Sequence, residues 1–165
     1  MIQATARVLK NIVDIQVGEE SWIGRPKESG EAGLGRRIAA LFSTDYLVFR
    51  AEAPEEVHST VSYRSKTDEI RIQIGEQHWH THSTTFGPMT IEYGAVLLTI
   101  NERLTGRFAV LRGKEPVAVG QLGFRSCTIR DYPPDLEVFF GNLALGYVIR
   151  TLSWEGFGSV TSFGR

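Results

Sequence analysis

The sequence predicts a mainly β domain, nine or ten antiparallel strands in a barrel or sandwich with one hydrophobic C-terminal helix surrounded by the rest of the chain. Three observations carry that prediction. Apolar and polar residues alternate with period two from the N-terminus to about position 130, as half-buried strands require. Turn-forming residues interrupt the alternation at short intervals, which suits hairpins and leaves no room for helical crossovers. From Leu136 to Leu152 the chain is apolar around the whole circumference of a helix, so that segment must be surrounded. With 165 residues and 42% hydrophobic content, the chain has the length of one domain and buries a core without a disulfide or structural metal.

In chain order, the candidate strands begin with residues 2–8 and 13–17, where Val13, Ile15 and Val17 alternate with Asp14 and Gln16. Residues 24–35 break the rhythm with four glycines and one proline. They read as a loop, followed by a short strand or helix over Arg36-Arg37-Ile38-Ala39-Ala40-Leu41-Phe42. Alternation resumes over 45–51, 57–64 and 69–75, the last setting Ile70, Ile72 and Ile74 against Arg71 and Gln73. Residues 77–83, 90–101, 106–112, 116–122 and 124–130 complete the series. Turn sequences such as Ser65-Lys66-Thr67-Asp68, Gly75-Glu76 and Arg112-Gly113-Lys114-Glu115 separate them. No internal repeat divides the chain, so residues 1–152 read as a single barrel domain and 153–165 as a flexible tail.

Pro133-Pro134 ends the last strand, and Asp135 is the expected N-cap of a core helix over about 135–152. At about 100° per residue, Leu136, Phe140, Leu143 and Tyr147 share one face, while Val138, Leu145, Ile149 and Leu152 occupy the opposite one. Seventeen residues at about 1.5 Å each fall short of a ~30 Å hydrocarbon core, and Glu137, Asn142 and Arg150 interrupt the run. Protein is therefore the expected surrounding, and no transmembrane segment is expected. Burying the nine large aliphatic or phenylalanine side chains of the run contributes a gross ~14–27 kcal/mol of transfer free energy. Gly141 and Gly146 each weaken the helix by ~1 kcal/mol relative to Ala, which implies close approach of surrounding strands.

An all-β chain that finishes in Pro133-Pro134-Asp135-Leu136-Glu137, a wholly apolar helix and Arg150 resembles the tubby-like superfamily, which implies an antiparallel β-barrel of about nine to twelve strands enclosing one hydrophobic C-terminal helix. Within it, the runs Arg107-Phe108-Ala109-Val110-Leu111-Arg112 and Pro116-Val117-Ala118-Val119-Gly120 are similar to strands of LURP-one-related proteins, and the resemblance spans about residues 45–152. Relatives include phosphoinositide-binding tubby domains and phospholipid scramblases, so the resemblance implies contact with lipid headgroups. The chain lacks the cysteine-rich acylation run and the Asp-rich calcium segment of scramblases, and no lipid-binding residue carries over by position.

Eighteen Lys+Arg against nineteen Asp+Glu give a net charge of −1. No overall field then attracts nucleic acid or anionic membrane, so nucleic acid is not an expected partner and any headgroup contact must be local. The single Cys127, in a strand-like run, reads as a small buried residue in a reducing compartment rather than a nucleophile. Residues 1–7 lack a basic segment followed by an apolar one, so the expected location is cytoplasmic, with peripheral membrane contact under the lipid reading.

Two constellations remain. His78, His80 and His82 share one face of a strand, where neighbouring imidazoles are placed to share a divalent ion, with Glu92 or His58 as a fourth ligand. The competing reading is a solvent-facing row of histidines. Arg25, Lys27, Arg36 and Arg37 flank the glycine-rich segment and are candidates for binding an anion or headgroup, although no Gly-Lys-Ser/Thr phosphate loop follows and Glu28 and Glu31 lie among them. No catalytic set is recognisable. The sequence thus favours a non-enzymatic binding module that contacts a phospholipid headgroup or a protein partner without a cofactor. The alternative is a metal-dependent enzyme built on the three histidines. If the terminal helix is the core, the fragment 1–134 has no cooperative thermal transition by circular dichroism; a soluble fragment that melts cooperatively would refute this.

Overall fold

Twelve antiparallel strands close into a barrel in plain chain order, and the twelfth returns to pair with the first. The strands are β1 (Ile2–Arg7), β2 (Ile12–Val17), β3 (Glu20–Pro26), β4 (Asp45–Arg50), β5 (Ala53–Arg64), β6 (Glu69–Ile74), β7 (Gln77–His82), β8 (Met89–Tyr93), β9 (Val96–Glu102), β10 (Arg107–Arg112), β11 (Glu115–Gly123) and β12 (Ser126–Arg130). The structure is a computed structural model and describes residues 1–27, 45–83, 88–93 and 96–161. The segment after Lys27 expected to be loop and then short strand or helix lies outside the described residues.

Two strands exceed those legible in the alternation. Residues 90–101 are a hairpin, β8 and β9, rather than one strand. β3 takes in the start of the glycine-rich run through Pro26. A Cβ at Gly24 would meet both Leu145 methyl groups at 3.2 Å, so the glycine lets β3 lie against the helix instead of starting a loop. Residues 124 and 125, expected to open the last strand, instead form the β11–β12 turn, and elsewhere the period-two pattern resolves as expected. Ile2 is in register with Ile129 and Ala4 with Cys127, all fully buried, while Arg71 and Gln73 of β6 and His78 and His80 of β7 point outward.

The helix fills the barrel. A 3-10 turn (Pro134–Leu136) leads into α1 (Glu137–Thr161). Pro134 takes the first helical position, which shifts the cap to Pro133, where no side chain bonds the helix end; the Leu136 N–H donates to the Pro133 carbonyl at 3.0 Å. Asp135 therefore lies inside the first turn and does not cap. Residues 139–150 are buried without a gap, and the helix packs against β1, β2, β5, β6 and β12. At Gly146 an added Cβ would lie 2.4 Å from Ile70 Cγ2, and at Gly141 2.7 Å from Trp22 Cζ3. Helical backbone continues through 153–161, residues the composition assigned to a tail. Once a helix is nucleated, each further residue adds a bond, and Gly156 and Gly158 do not offset that.

Two polar anchors sit in this apolar core. Ser59 Oγ on β5 donates to Asn142 Oδ1 at 2.5 Å, and Asn142 Nδ2 donates to the Val138 carbonyl at 2.8 Å. Further along, the Arg150 guanidinium donates to both carboxylate oxygens of Asp68, at 2.8 and 2.7 Å, and to both of Glu102, at 2.7 and 3.0 Å. Tyr63 and Tyr147 hydroxyls donate to the same two carboxylates at 2.8 and 2.7 Å. Burial alone would lower the Arg150 pKa, but its hydrogen bonds to Asp68 and the charge of Glu102 raise it, so the guanidinium stays charged.

Close packing explains one strand glycine. Phe108 is stacked on Tyr147 with ring centroids 4.7 Å apart, and its ring lies across Gly120, where a Cβ would come within 1.9 Å of Phe108 Cζ. Gly120→Ala is therefore expected to lower stability by about 1–3 kcal/mol in urea denaturation, because the ring cannot tilt away from Tyr147. An unchanged midpoint would show that the ring has room to move.

Candidate functional site

With the helix occupying the interior, the candidate sites lie on the outer wall and the barrel ends. On β7, Trp79 and Thr81 turn inward, at 6% and 1% exposure, while His78, His80 and His82 turn outward together. Trp79 meets Phe139 of the helix edge-on at 5.7 Å, and Thr81 Oγ1 accepts the Ile70 N–H at 2.9 Å, so the strand's facing is fixed from inside. The His80 and His82 rings stand edge to face with centroids 4.3 Å apart. Across the sheet, His78 opposes Gln73, His80 opposes Arg71 and His82 opposes Thr90. The neighbour of the central imidazole is thus a cation, itself paired with Glu69 at 3.0 Å. Burial alone would raise the Glu69 pKa, but the hydrogen bond and charge of Arg71 hold it below its ordinary value. Glu92 lies on β8 opposite Leu97, and the His58 ring packs on Trp22 at 4.9 Å. Among the described residues, no group of three or more His, Cys, Asp or Glu side chains is placed to hold a metal ion.

Of the four basic residues around the glycine-rich segment, two are placed. Arg25 is exposed on β3, with its guanidinium 5.3 Å from the Phe49 ring centroid. Lys27 follows the strand, and its N–H donates to the Asp45 carbonyl at 2.9 Å. Arg36 and Arg37 lie outside the described residues. Cys127 is fully buried between β1 and β11, where burial pushes its thiol pKa far up, as suits a packing residue and not a nucleophile.

Two further surfaces appear only in the folded chain. The first is a groove of about 560 Å³ on the outer wall of β9 to β12, into which Arg103, Arg107 and Arg130 project with Asn101, Gln121 and Thr128. The second is the end of the barrel where α1 emerges. Because strands alternate in direction, the β1–β2, β9–β10 and β11–β12 turns all lie at that end. Each presents a large apolar side chain to solvent: Leu9 at 103%, Leu104 at 110% and Phe124 at 77% exposure. A cation adjoins each in sequence: Lys10, Arg103 and Arg125, the last with its guanidinium 4.7 Å from the Phe124 ring centroid. Backbone bonds join the three turns, from the Ala6 N–H to the Arg125 carbonyl at 2.9 Å and from the Leu122 N–H to the Gly106 carbonyl at 2.8 Å.

No family model matches the sequence, and no curated protein or solved structure shows significant similarity to it. The functional reading therefore rests on the geometry.

Sequence reasoning missed both surfaces. Alternation could place Arg107 and Arg130 on an outer face, but register alone decides that they flank one groove, and turn tips look alike until their end of the barrel is known.

One histidine outside the outward row is titration-sensitive. β4 and β5 shift register between Val48/Ser59 and Phe49/Val57, leaving His58 unpaired in the bulge. Its Nε2 is buried and has no hydrogen-bond partner among the described residues. Burial lowers the His58 pKa below 6.5, Arg50 lowers it further, and Glu20 partly opposes them. Because the folded pKa is below the unfolded one, this contribution to stability is full above the unfolded value and is lost as pH falls through the folded value. Lowering pH from about 7.5 to about 5 should therefore reduce the urea midpoint less in His58→Gln than in the parent protein. Equal losses in the two would show that other groups carry the acid sensitivity.

Proposed function

We propose that this protein is a non-enzymatic binding module of the tubby-like kind that contacts phospholipid headgroups with one end of its barrel. The observation that carries the reading is the set of exposed apolar tips, Leu9, Leu104 and Phe124, on three neighbouring turns, each with a cation beside it. Exposed leucine and phenylalanine side chains at the turns leave apolar area in water that an acyl-chain boundary would remove, while adjacent Lys and Arg meet the anionic headgroups. The filled interior also favours recognition from outside, since α1 occupies the space where a barrel would otherwise enclose a ligand. A net charge of −1 makes the attraction local and therefore weak, reversible and salt-sensitive, in keeping with a cytoplasmic protein that visits a membrane. A protein partner seated on the same tips is the competing occupant.

Vesicle flotation tests this. The protein should float with phosphatidylcholine vesicles containing phosphatidylserine at low salt and dissociate as salt rises. The double substitution Leu104→Ser, Phe124→Ser should weaken binding by about tenfold or more, because two inserted side chains are lost while the barrel core is untouched. A protein that stays with the unbound fraction at low salt for every vesicle composition would overturn the lipid reading.

A further inference from the structure

The groove on the outer wall of β9 to β12 has a construction that goes beyond surface basicity. The Arg103 N–H donates to the Arg107 carbonyl at 2.8 Å, which sets these two arginines directly opposite one another at the end of the β9–β10 hairpin. Arg107 is in register with Gln121, and Gln121 with Thr128, forming one row across the wall. In the next row, Asn101 opposes Ala109, Ala109 opposes Val119, and Val119 opposes Arg130. Ala109 and the exposed Val119 form an apolar floor, with Arg103 and Arg107 on one side of it and Arg130 on the other. Strands about 4.8 Å apart put the two arginine groups within mutual reach of one small ligand lying over that floor.

Three features point to an anion. Like charges directly opposite on neighbouring strands repel, so the Arg103/Arg107 pair carries a cost that a bound anion would relieve. Among the described residues none of the three arginines makes a salt bridge, and no carboxylate lines the groove. In a chain of net charge −1, three uncompensated guanidiniums in one groove are a local concentration. The frame is also pre-set. The Gln121 amide donates to the carbonyls of Thr105 at 3.2 Å and Leu122 at 2.9 Å, tying the turn that carries Arg103 to β11. Gly106, at φ +77°, is the left-handed residue that lets that turn close, and a Cβ there would press on the Leu122 carbonyl at 3.0 Å.

We infer that this groove is a binding site for a phosphate monoester group. Guanidinium forks match phosphate oxygens two at a time, and a tetrahedral dianion accepts from three directions at once, whereas a planar carboxylate offers one plane and one charge. Thr128 and Asn101 supply neutral donors at the margin, and the Ala109/Val119 floor takes the apolar part of whatever carries the phosphate. The groove adjoins the Leu104 tip, so a phospholipid headgroup and a soluble phosphate ester share the required chemistry. Only the lipid source rests on the membrane reading above.

The test uses the intact protein and three probes: glycerol phosphate by titration calorimetry, and phosphatidylcholine vesicles with and without phosphatidic acid by flotation. Arg107→Gln with Arg130→Gln changes two exposed side chains, and an unchanged melting temperature confirms that the barrel persists. Saturable glycerol phosphate binding that weakens by about tenfold or more in this variant supports a soluble phosphate ester as ligand. Binding confined to phosphatidic acid vesicles and weakened by the same factor supports the headgroup. Vesicle binding that the Arg107/Arg130 variant retains but Leu104→Ser, Phe124→Ser loses overturns the groove while leaving the membrane reading intact. Absence of binding to all three probes overturns the groove site as well.

Discussion

A barrel of twelve strands is too wide to be filled by the side chains of its own wall, and that single constraint organises this protein. Eight strands enclose about the space that inward side chains occupy; sixteen or more leave a channel. Twelve leave room for a helix about 10–12 Å across, and α1 fills it. The helix must then be apolar on every side, the wall must turn apolar side chains inward, and wherever wall and helix meet too closely one of them must give up its side chain. Gly24 does so on the wall; Gly141 and Gly146 do so on the helix.

A cylinder inside a cylinder has little to stop it sliding or turning, and the polar contacts of α1 supply the stops. Asn142 bonds to Ser59 midway, and Arg150 at the far end binds Asp68 in the β5–β6 turn and Glu102 at the end of β9. Buried ion pairs add little net stability once desolvation is counted, so their value here lies in position. A shift of one helical turn into the barrel would leave Arg150 unpaired in an apolar interior, a cost of about 3–5 kcal/mol. The same contacts draw two hairpins onto the helix and thereby order the end of the barrel at which the exposed tips and the arginine groove are found.

That arrangement moves recognition outward. The interior is spent on stability, so the chemistry available to a partner is what the outer residues of the alternation and the turns present. The core is built from inward-facing positions, so the outer wall is free to carry Arg103, Arg107 and Arg130 on one side and the histidine row on another without cost to the core. The two differ in local field. The central imidazole has as its cross-strand neighbour Arg71, which is paired with Glu69, whereas no carboxylate lines the arginine groove.

Much of the fold is legible in the sequence. The runs around Ile70-Arg71-Ile72 and Val13-Asp14-Ile15 declare strands because burial on one face forces period two, and the segment from Leu136 to Leu152 declares a surrounded helix because no polar face is left on it. The hairpin within 90–101 escaped because its alternation runs on through the turn, and β3 escaped because glycine and proline look like a loop until a helix is seen to require the space. Of the site, the outward turn of His78, His80 and His82 could be read from strand period alone. The grouping of Arg103, Arg107 and Arg130 could not. Sequence by itself determined which side of the wall the residues of the clearly alternating strands face, since that depends only on local period and burial. Tertiary structure alone decided which residues meet, because cross-strand register and the end at which each turn lies are properties of the closed barrel, not of any one strand.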